Sequence, residues 1–187
     1  MQQEIKKTLD ILYAGGIILY PTDTIWGIGC DASNEKAVQK IYEIKKRADS
    51  KSMLILIDDA TRIPSYVEEM PELAWDLIEL SEKPLTIIYS GAKNLAKNLI
   101  AEDDSVGIRV SRDEFTQELI RRFKKPIVST SANISGQPAP AFFDEISEEI
   151  KSSVDYVVNH RQDDFTKSTP SGIIKLGVNG EVKVIRE

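Results

Sequence analysis

Residues 17–47, IILYPTDTIWGIGCDASNEKAVQKIYEIKKR, run from a short apolar segment through a polar, glycine-bearing stretch into an amphipathic helix. Residues 17–20 have the composition of a buried strand. Ser33 or Asn34 stands where an N-cap belongs, Glu35 suits the first turn, and Ala37, Val38, Ile41 and Tyr42 share one helical face. A strand-to-helix crossing uses about 2 to 6 residues, so the longer segment between them reads as a binding loop. Pro21 fixes one backbone angle, while Thr22, Asp23 and Thr24 bring two hydroxyls and a carboxylate to a strand end, where open α/β sheets bind ligands. Gly27 and Gly29 allow backbone to approach something closely. The closing Lys45, Lys46 and Arg47 suit the helix dipole and, taken alone, read as a solvated C-terminus.

The totals bound what surrounds this stretch. A chain of 187 residues with 41% hydrophobic and 29% charged residues is large enough for one domain with a real core. No apolar run approaches the ~18 residues of a membrane span, and the N-terminal segment reads as an amphipathic helix rather than a signal peptide, so no membrane partner and a cytoplasmic location are expected. A net charge of −6 argues against a general nucleic-acid binder, which ordinarily carries a basic excess. The single cysteine, Cys30, excludes an intrachain disulfide and reads as a small buried hydrophobe. One histidine, His160, leaves no structural zinc set and reads as a loop residue.

Outward from the opening stretch, the pattern predicts helices at 3–14, 71–80, 113–123 and 147–152, with a short helix at 94–100. Strands are predicted at 53–57, 84–89, 105–110, 126–131 and 154–158, and a hairpin over 172–176 and 181–185 about Asn179-Gly180. Leu73, Trp75, Leu77, Ile78 and Leu80 are available to pack on a sheet. Arg109 falls inside a strand, where an unpaired buried guanidinium is costly, so it must face solvent or meet an anion. The segment 132–141, ANISGQPAPA, reads either as an elaborate surface loop or as part of a site. Alternation of strands with helices, then a terminal hairpin, gives an α/β (α+β) class with a twisted mixed sheet flanked by helices.

GIGCDA at 27–32 has the letters of a dinucleotide fingerprint but follows its strand too distantly and lacks the ribose-binding acid. Phosphate-loop, nucleophile-elbow and HExxH motifs are absent from the sequence. What remains is a dispersed set of hydroxyls and cations at strand ends, suited to phosphates, carboxylates, ribose or an amino acid.

YPTDTIWGIGCDA, the Lys45-x-Arg47 pair before an apolar strand, PLTIIY, VGIRV and STSANISG closely resemble, in the same order over residues 8–186, the YrdC family of threonylcarbamoyl-AMP synthases. The likeness is to the short, single-domain bacterial form, with a YrdC-like domain over 1–187. It implies an enzyme that joins L-threonine, bicarbonate or CO2, and ATP into threonylcarbamoyl-AMP with release of pyrophosphate. Downstream threonylcarbamoyl-transfer proteins then modify tRNA adenosine next to the anticodon. The resemblance places threonine on Thr24, Arg109, Ser129 and Ser171. It places ATP on Arg47, Lys51, Ser105, Ser131 and Arg186, with Asn133 bracing the serine loop beside it. Lys45 and Arg47 carry the catalytic charge near the phosphates, and Mg2+ arrives with ATP rather than in a protein cage.

Glu82-Lys83-Pro84, Lys51-Ser52 and Leu56 depart from the family pattern, as do Gly172 and Lys175, which stand where relatives carry threonine and aspartate; the sequence ends at Glu187, directly after Arg186, where relatives continue with a glycine. The competing readings are a non-catalytic RNA-binding module, disfavoured by the acidic charge, and a nucleotide-binding paralogue with a different acceptor, disfavoured by the intact Lys45-x-Arg47 and Ser129-x-Ser131-x-Asn133.

Overall fold

The computed structural model describes residues 1–46 and 53–187, so Arg47 and Lys51 lie outside the described residues. In chain order the elements are α1 (Gln2–Tyr13), β1 (Ile18–Tyr20), β2 (Gly27–Gly29), α2 (Glu35–Ile44), β3 (Leu54–Ile57), α3 (Leu73–Leu80), β4 (Leu85–Tyr89), β5 (Val106–Val110), α4 (Glu114–Phe123), β6 (Ile127–Ser131), α5 (Glu148–Ser153), β7 (Tyr156–Val157), β8 (Gly172–Leu176) and β9 (Val182–Arg186). The strands form one mixed sheet in the order β7-β1-β2-β6-β3-β5-β4-β8-β9. Among the described residues no helix is long and apolar enough to cross a membrane.

Capping chemistry sets several boundaries. Asn34 accepts hydrogen bonds from the amides of Lys36 and Ala37 at the start of α2, and Asp113 accepts one from the Thr116 amide at the start of α4. The expected short helix at 94–100 shrinks to a single 3-10 turn, Lys97–Leu99. The hairpin joining β8 and β9 turns at Gly180, whose φ of +82° suits glycine.

The first difference from the sequence reading lies in the opening loop. Gly27–Gly29 is a strand, paired antiparallel with β1 on one side and β6 on the other. Two of its three residues have no side chain, so neither apolar periodicity nor β-branching announces it. Its glycines approach the sheet itself: a Cβ on Gly29 stands 2.4 Å from the Val128 carbonyl oxygen and 2.7 Å from Tyr20 Cε1. Gly29→Ala is therefore expected to cost about 3 kcal/mol, since backbone must move to admit the methyl. A urea-denaturation midpoint unchanged from the parent protein contradicts this packing.

Strand register divides the core between the two faces of the sheet. Ile55 and Ile57, Ile87 and Tyr89, Val106 and Ile108, Val128, Ile28 and Leu19 point to one face and join Ala37, Val38, Ile41 and Tyr42 of α2 in the larger apolar cluster. On the opposite face, Ile18, Tyr20, Leu56 and Ile127 meet α1 through Ile5 and Leu12, and α4 through Phe115, Leu119, Ile120 and Phe123. Each large side chain so buried contributes roughly 1.5 to 3 kcal/mol of transfer free energy. α3 departs from expectation: Leu77 and Ile78 pack on the larger cluster, but Leu73, Trp75 and Leu80 are exposed. Ala74, Leu77 and Ile78 form the seated side of α3, and the rest of its apolar surface faces outward.

Candidate functional site

The second face changes character along its own rows. Residues directly opposite each other in neighbouring strands project to the same side, and Ile127, Leu56, Arg109, Thr86 and Ile173 form one such row from β6 to β8. The row is apolar beneath α1 and α4, then turns polar at Arg109. The next row carries Ser129, Leu54, Gly107, Ile88 and Lys175. Where no helix covers these rows an open cavity of about 240 Å³ remains, lined among others by Thr24, Trp26, Gly27, Arg109, Ser129, Ser131, Ser171, Ile173 and Arg186. Gly27 keeps its wall thin, because a Cβ there meets Ser129 Oγ at 3.3 Å.

Arg109 is 3% exposed. Its Nη2 stands 3.1 Å from Asp23 Oδ1, yet Nε, Nη2 and that carboxylate oxygen all lack a hydrogen-bond partner, because the approach angle is wrong for one. The requirement that a strand arginine meet an anion is thus met by an ion pair across the sheet. Arg186 Nε and Nη2 donate to the Ser171 carbonyl oxygen at 2.9 and 2.7 Å. Burial, then the charge of Arg109, pull the Arg186 guanidinium below its ordinary pKa. The Ser171 and Thr86 hydroxyls share a hydrogen bond of 2.8 Å, and those of Thr22 and Thr24 one of 3.0 Å. Two cations and a ring of hydroxyls face one volume. Among the described residues lining it, none is acidic, cysteine or histidine. Tyr20 lies nearby with its phenol pushed up by burial and donating to the Val128 carbonyl oxygen.

The residues singled out in the sequence separate into three groups. Thr24, Arg109, Ser129, Ser131, Ser171 and Arg186 line the one cavity. Lys45, Asn133 and Ser105 stand outside its lining. Lys45 is 2% exposed, not the solvated helix end that composition suggests. Its Nζ donates to the carbonyl oxygens of Ser131 (2.5 Å) and Asn133 (2.7 Å), so its charge fastens the serine loop from below. Lys46, by contrast, is a surface cation, paired with Glu149 at 2.7 Å. Asn133 Nδ2 donates to the Gln137 carbonyl oxygen at 2.6 Å, closing the same loop, and the residue borders a second cavity of about 190 Å³. Ser105, at the far end of β5, donates to Asp103 Oδ1 at 2.5 Å. The other Asp103 oxygen accepts from Lys175, and hydrogen bonds from Lys175 and Ser105 push the Asp103 carboxyl down to about 2. Lys175 thereby finds a structural partner. Arg47 and Lys51 lie outside the described residues.

The sequence model of the Sua5/YciO/YrdC family, described as "Telomere recombination", matches residues 10–187. The chain belongs to this family. A threonylcarbamoyl-AMP synthase from Pseudoalteromonas translucida is 31% identical over 185 residues, 97% of either chain. The crystal structure of P. abyssi Sua5 complexed with L-threonine superposes with a TM-score of 0.84 at 25% identity, covering 94% of this chain. That alignment takes in 52% of the Sua5 chain, so the present chain spans about half of its length. E. coli YciO shares the fold with a TM-score of 0.86 at 24% identity over 100% of this chain and 90% of its own.

Within the Sua5/YciO/YrdC frame, Thr86 escaped the sequence reading, and so did the partner of Asp23. Thr86 is buried behind the cavity lining, opposite Arg109 across β4 and β5 and hydrogen-bonded to the lining residue Ser171. Alternation within PLTIIY places it opposite in face to Ile87, but the β4–β5 register that faces it to Arg109 is not written in either strand alone. Asp23 was visible as a carboxylate at a strand end, without any local sign that its partner would be a strand arginine.

Proposed function

We propose that this chain is an L-threonylcarbamoyladenylate synthase, a nucleotidyltransferase that forms threonylcarbamoyl-AMP and pyrophosphate from L-threonine, bicarbonate or CO2, and ATP. The observation that carries the reading is the buried Arg109 guanidinium, opening with Arg186 and five hydroxyl residues on one cavity whose described lining residues include no acid, cysteine or histidine. In this reading Arg109 receives the threonine carboxylate, and Thr24, Ser129 and Ser171 supply donors and acceptors around the rest of the amino acid. The threonine nitrogen attacks the carbon of bicarbonate or CO2. An oxygen of the resulting carbamate then attacks the α-phosphorus of ATP, and pyrophosphate leaves. With bicarbonate as the source, one water is also released. No covalent enzyme intermediate is required, so the protein acts by aligning three reactants and dispersing phosphate charge.

In this reading ATP lies toward Ser131 and Arg186, and the family resemblance assigns Arg47 and Lys51, which lie outside the described residues, to the same ligand. Among the described residues no group of three or more His, Cys, Asp or Glu side chains is placed to hold a metal. Mg2+ would arrive with ATP and would supply neutralising charge on the triphosphate. The relative named threonylcarbamoyl-AMP synthase and the Sua5 structure with L-threonine support this assignment. Transfer to tRNA falls to separate partner proteins in the cytoplasm.

The test is pyrophosphate release by the purified chain with ATP, Mg2+ and bicarbonate, with and without L-threonine, and with L-serine as control. Release that requires threonine and bicarbonate together is expected. Intact fold and bound ATP without such release moves the assignment to a nucleotide-binding paralogue with a different acceptor. Salt-sensitive RNA retention without ATP consumption moves it to an RNA-binding module.

A further inference from the structure

Asp23 lies in the loop between β1 and β2, and its carboxylate is 7% exposed against 4% for the Arg109 side chain. That loop is fastened from outside the cavity. The Thr116 hydroxyl donates to the Pro21 carbonyl oxygen at 3.3 Å, and the Arg112 amide donates to Asp23 Oδ2 at 3.3 Å. Asp23 Oδ1 is left against Arg109 Nη2 with no other partner. The contact with Arg109 is a charge pairing without hydrogen-bond geometry, so it neutralises the guanidinium without consuming a directed donor. Four rotatable side-chain bonds separate a guanidinium from its backbone, and here a second guanidinium, Arg186, is close enough for the Arg109 charge to lower its pKa. Repulsion between the two cations drives Arg109 away from the cavity unless an anion holds it from behind.

We propose that Asp23 is the positioning residue of the amino-acid site, fixing the Arg109 guanidinium so that it presents to a ligand carboxylate while Asp23 stays outside the cavity lining. Asp23 neutralises one of two facing cations and leaves the directional capacity of Arg109 for the ligand. The proposal rests on the reading that Arg109 takes the threonine carboxylate.

The test is calorimetric binding of L-threonine, L-threonine methyl ester and ATP to the parent protein, Asp23→Asn and Asp23→Glu, with steady-state kinetics beside it. Asp23→Asn is expected to weaken L-threonine binding about tenfold or more, with methyl ester and ATP binding changed by less than about twofold. The KM for threonine rises and kcat stays near the parent value, the pattern of a lost uniform binding contribution. Asp23→Glu, which keeps the charge one methylene further out, recovers part of the loss. Threonine binding unchanged in Asp23→Asn overturns the proposal, as does an equal loss for threonine and its ester. A variant that no longer unfolds cooperatively overturns it too, because Asp23 is then a residue of the fold. Equal binding of threonine and its ester by the parent protein removes the Arg109 assignment itself, and is recognisable as that separate failure.

Discussion

Arg109→Ala is expected to abolish measurable threonine binding while ATP still binds. Truncating one member of a desolvated charge pair costs about 2 to 5 kcal/mol in binding, enough to carry a weak amino-acid ligand out of range. The same change leaves the Asp23 carboxylate buried without its countercharge, and about 3 to 5 kcal/mol of stability goes with it. Removing that stranded charge must then help: Arg109→Ala with Asp23→Asn is expected to be more stable than Arg109→Ala alone, though equally unable to bind threonine. Titration calorimetry with each ligand and urea denaturation of the three proteins measure both effects. Parallel loss of threonine and ATP in a well-folded Arg109→Ala protein places the guanidinium at the nucleotide instead.

Lys45→Met separates two roles for the cation at the end of α2. A methionine keeps most of the stem but withdraws the ammonium that donates to the Ser131 and Asn133 carbonyl oxygens. Buried acceptors that lose a charged donor cost about 1 to 3 kcal/mol each. The expected result is a stability loss of about 2 to 4 kcal/mol together with loss of pyrophosphate release, because the loosened loop carries Ser131 into the cavity wall. A lysine acting only on phosphate charge gives the other result, a protein of parental stability whose sole defect is ATP affinity.

These two residues also mark how far the chain is legible without its fold. The strand containing Arg109 was apparent from VGIRV, and burial physics required that its guanidinium meet an anion or water. The order of helices and strands was equally apparent, within a residue or two at most boundaries, because apolar periodicity and caps such as Asn34 and Asp113 are local signals. The six cavity residues Thr24, Arg109, Ser129, Ser131, Ser171 and Arg186 are legible without any strand pairing, through their place in the motifs that carry the family resemblance. Cys30 and His160 behave as composition suggests: the thiol is buried and pushed up by that burial, then by the Asp31 charge, and the imidazole lies in a loop stacked on Phe115.

Tertiary structure alone decided the rest. β2 is a strand because β1 and β6 flank it with hydrogen-bonding edges, and a Gly-Ile-Gly sequence has too few side chains to declare a pleat. Lys45 reads as a solvated helix end from its neighbours in sequence, and is buried because residues 131–133 lie over it after β6 takes its place beside β2 and β3. Asp23 and Arg109 become a pair only when β1, β2, β6, β3 and β5 stand side by side in that order. Side-chain order along a segment fixes what that segment prefers to be. Which charge meets which hydroxyl depends on strand register between distant segments, and a one-residue change in register sends a whole row of side chains to the other face of the sheet.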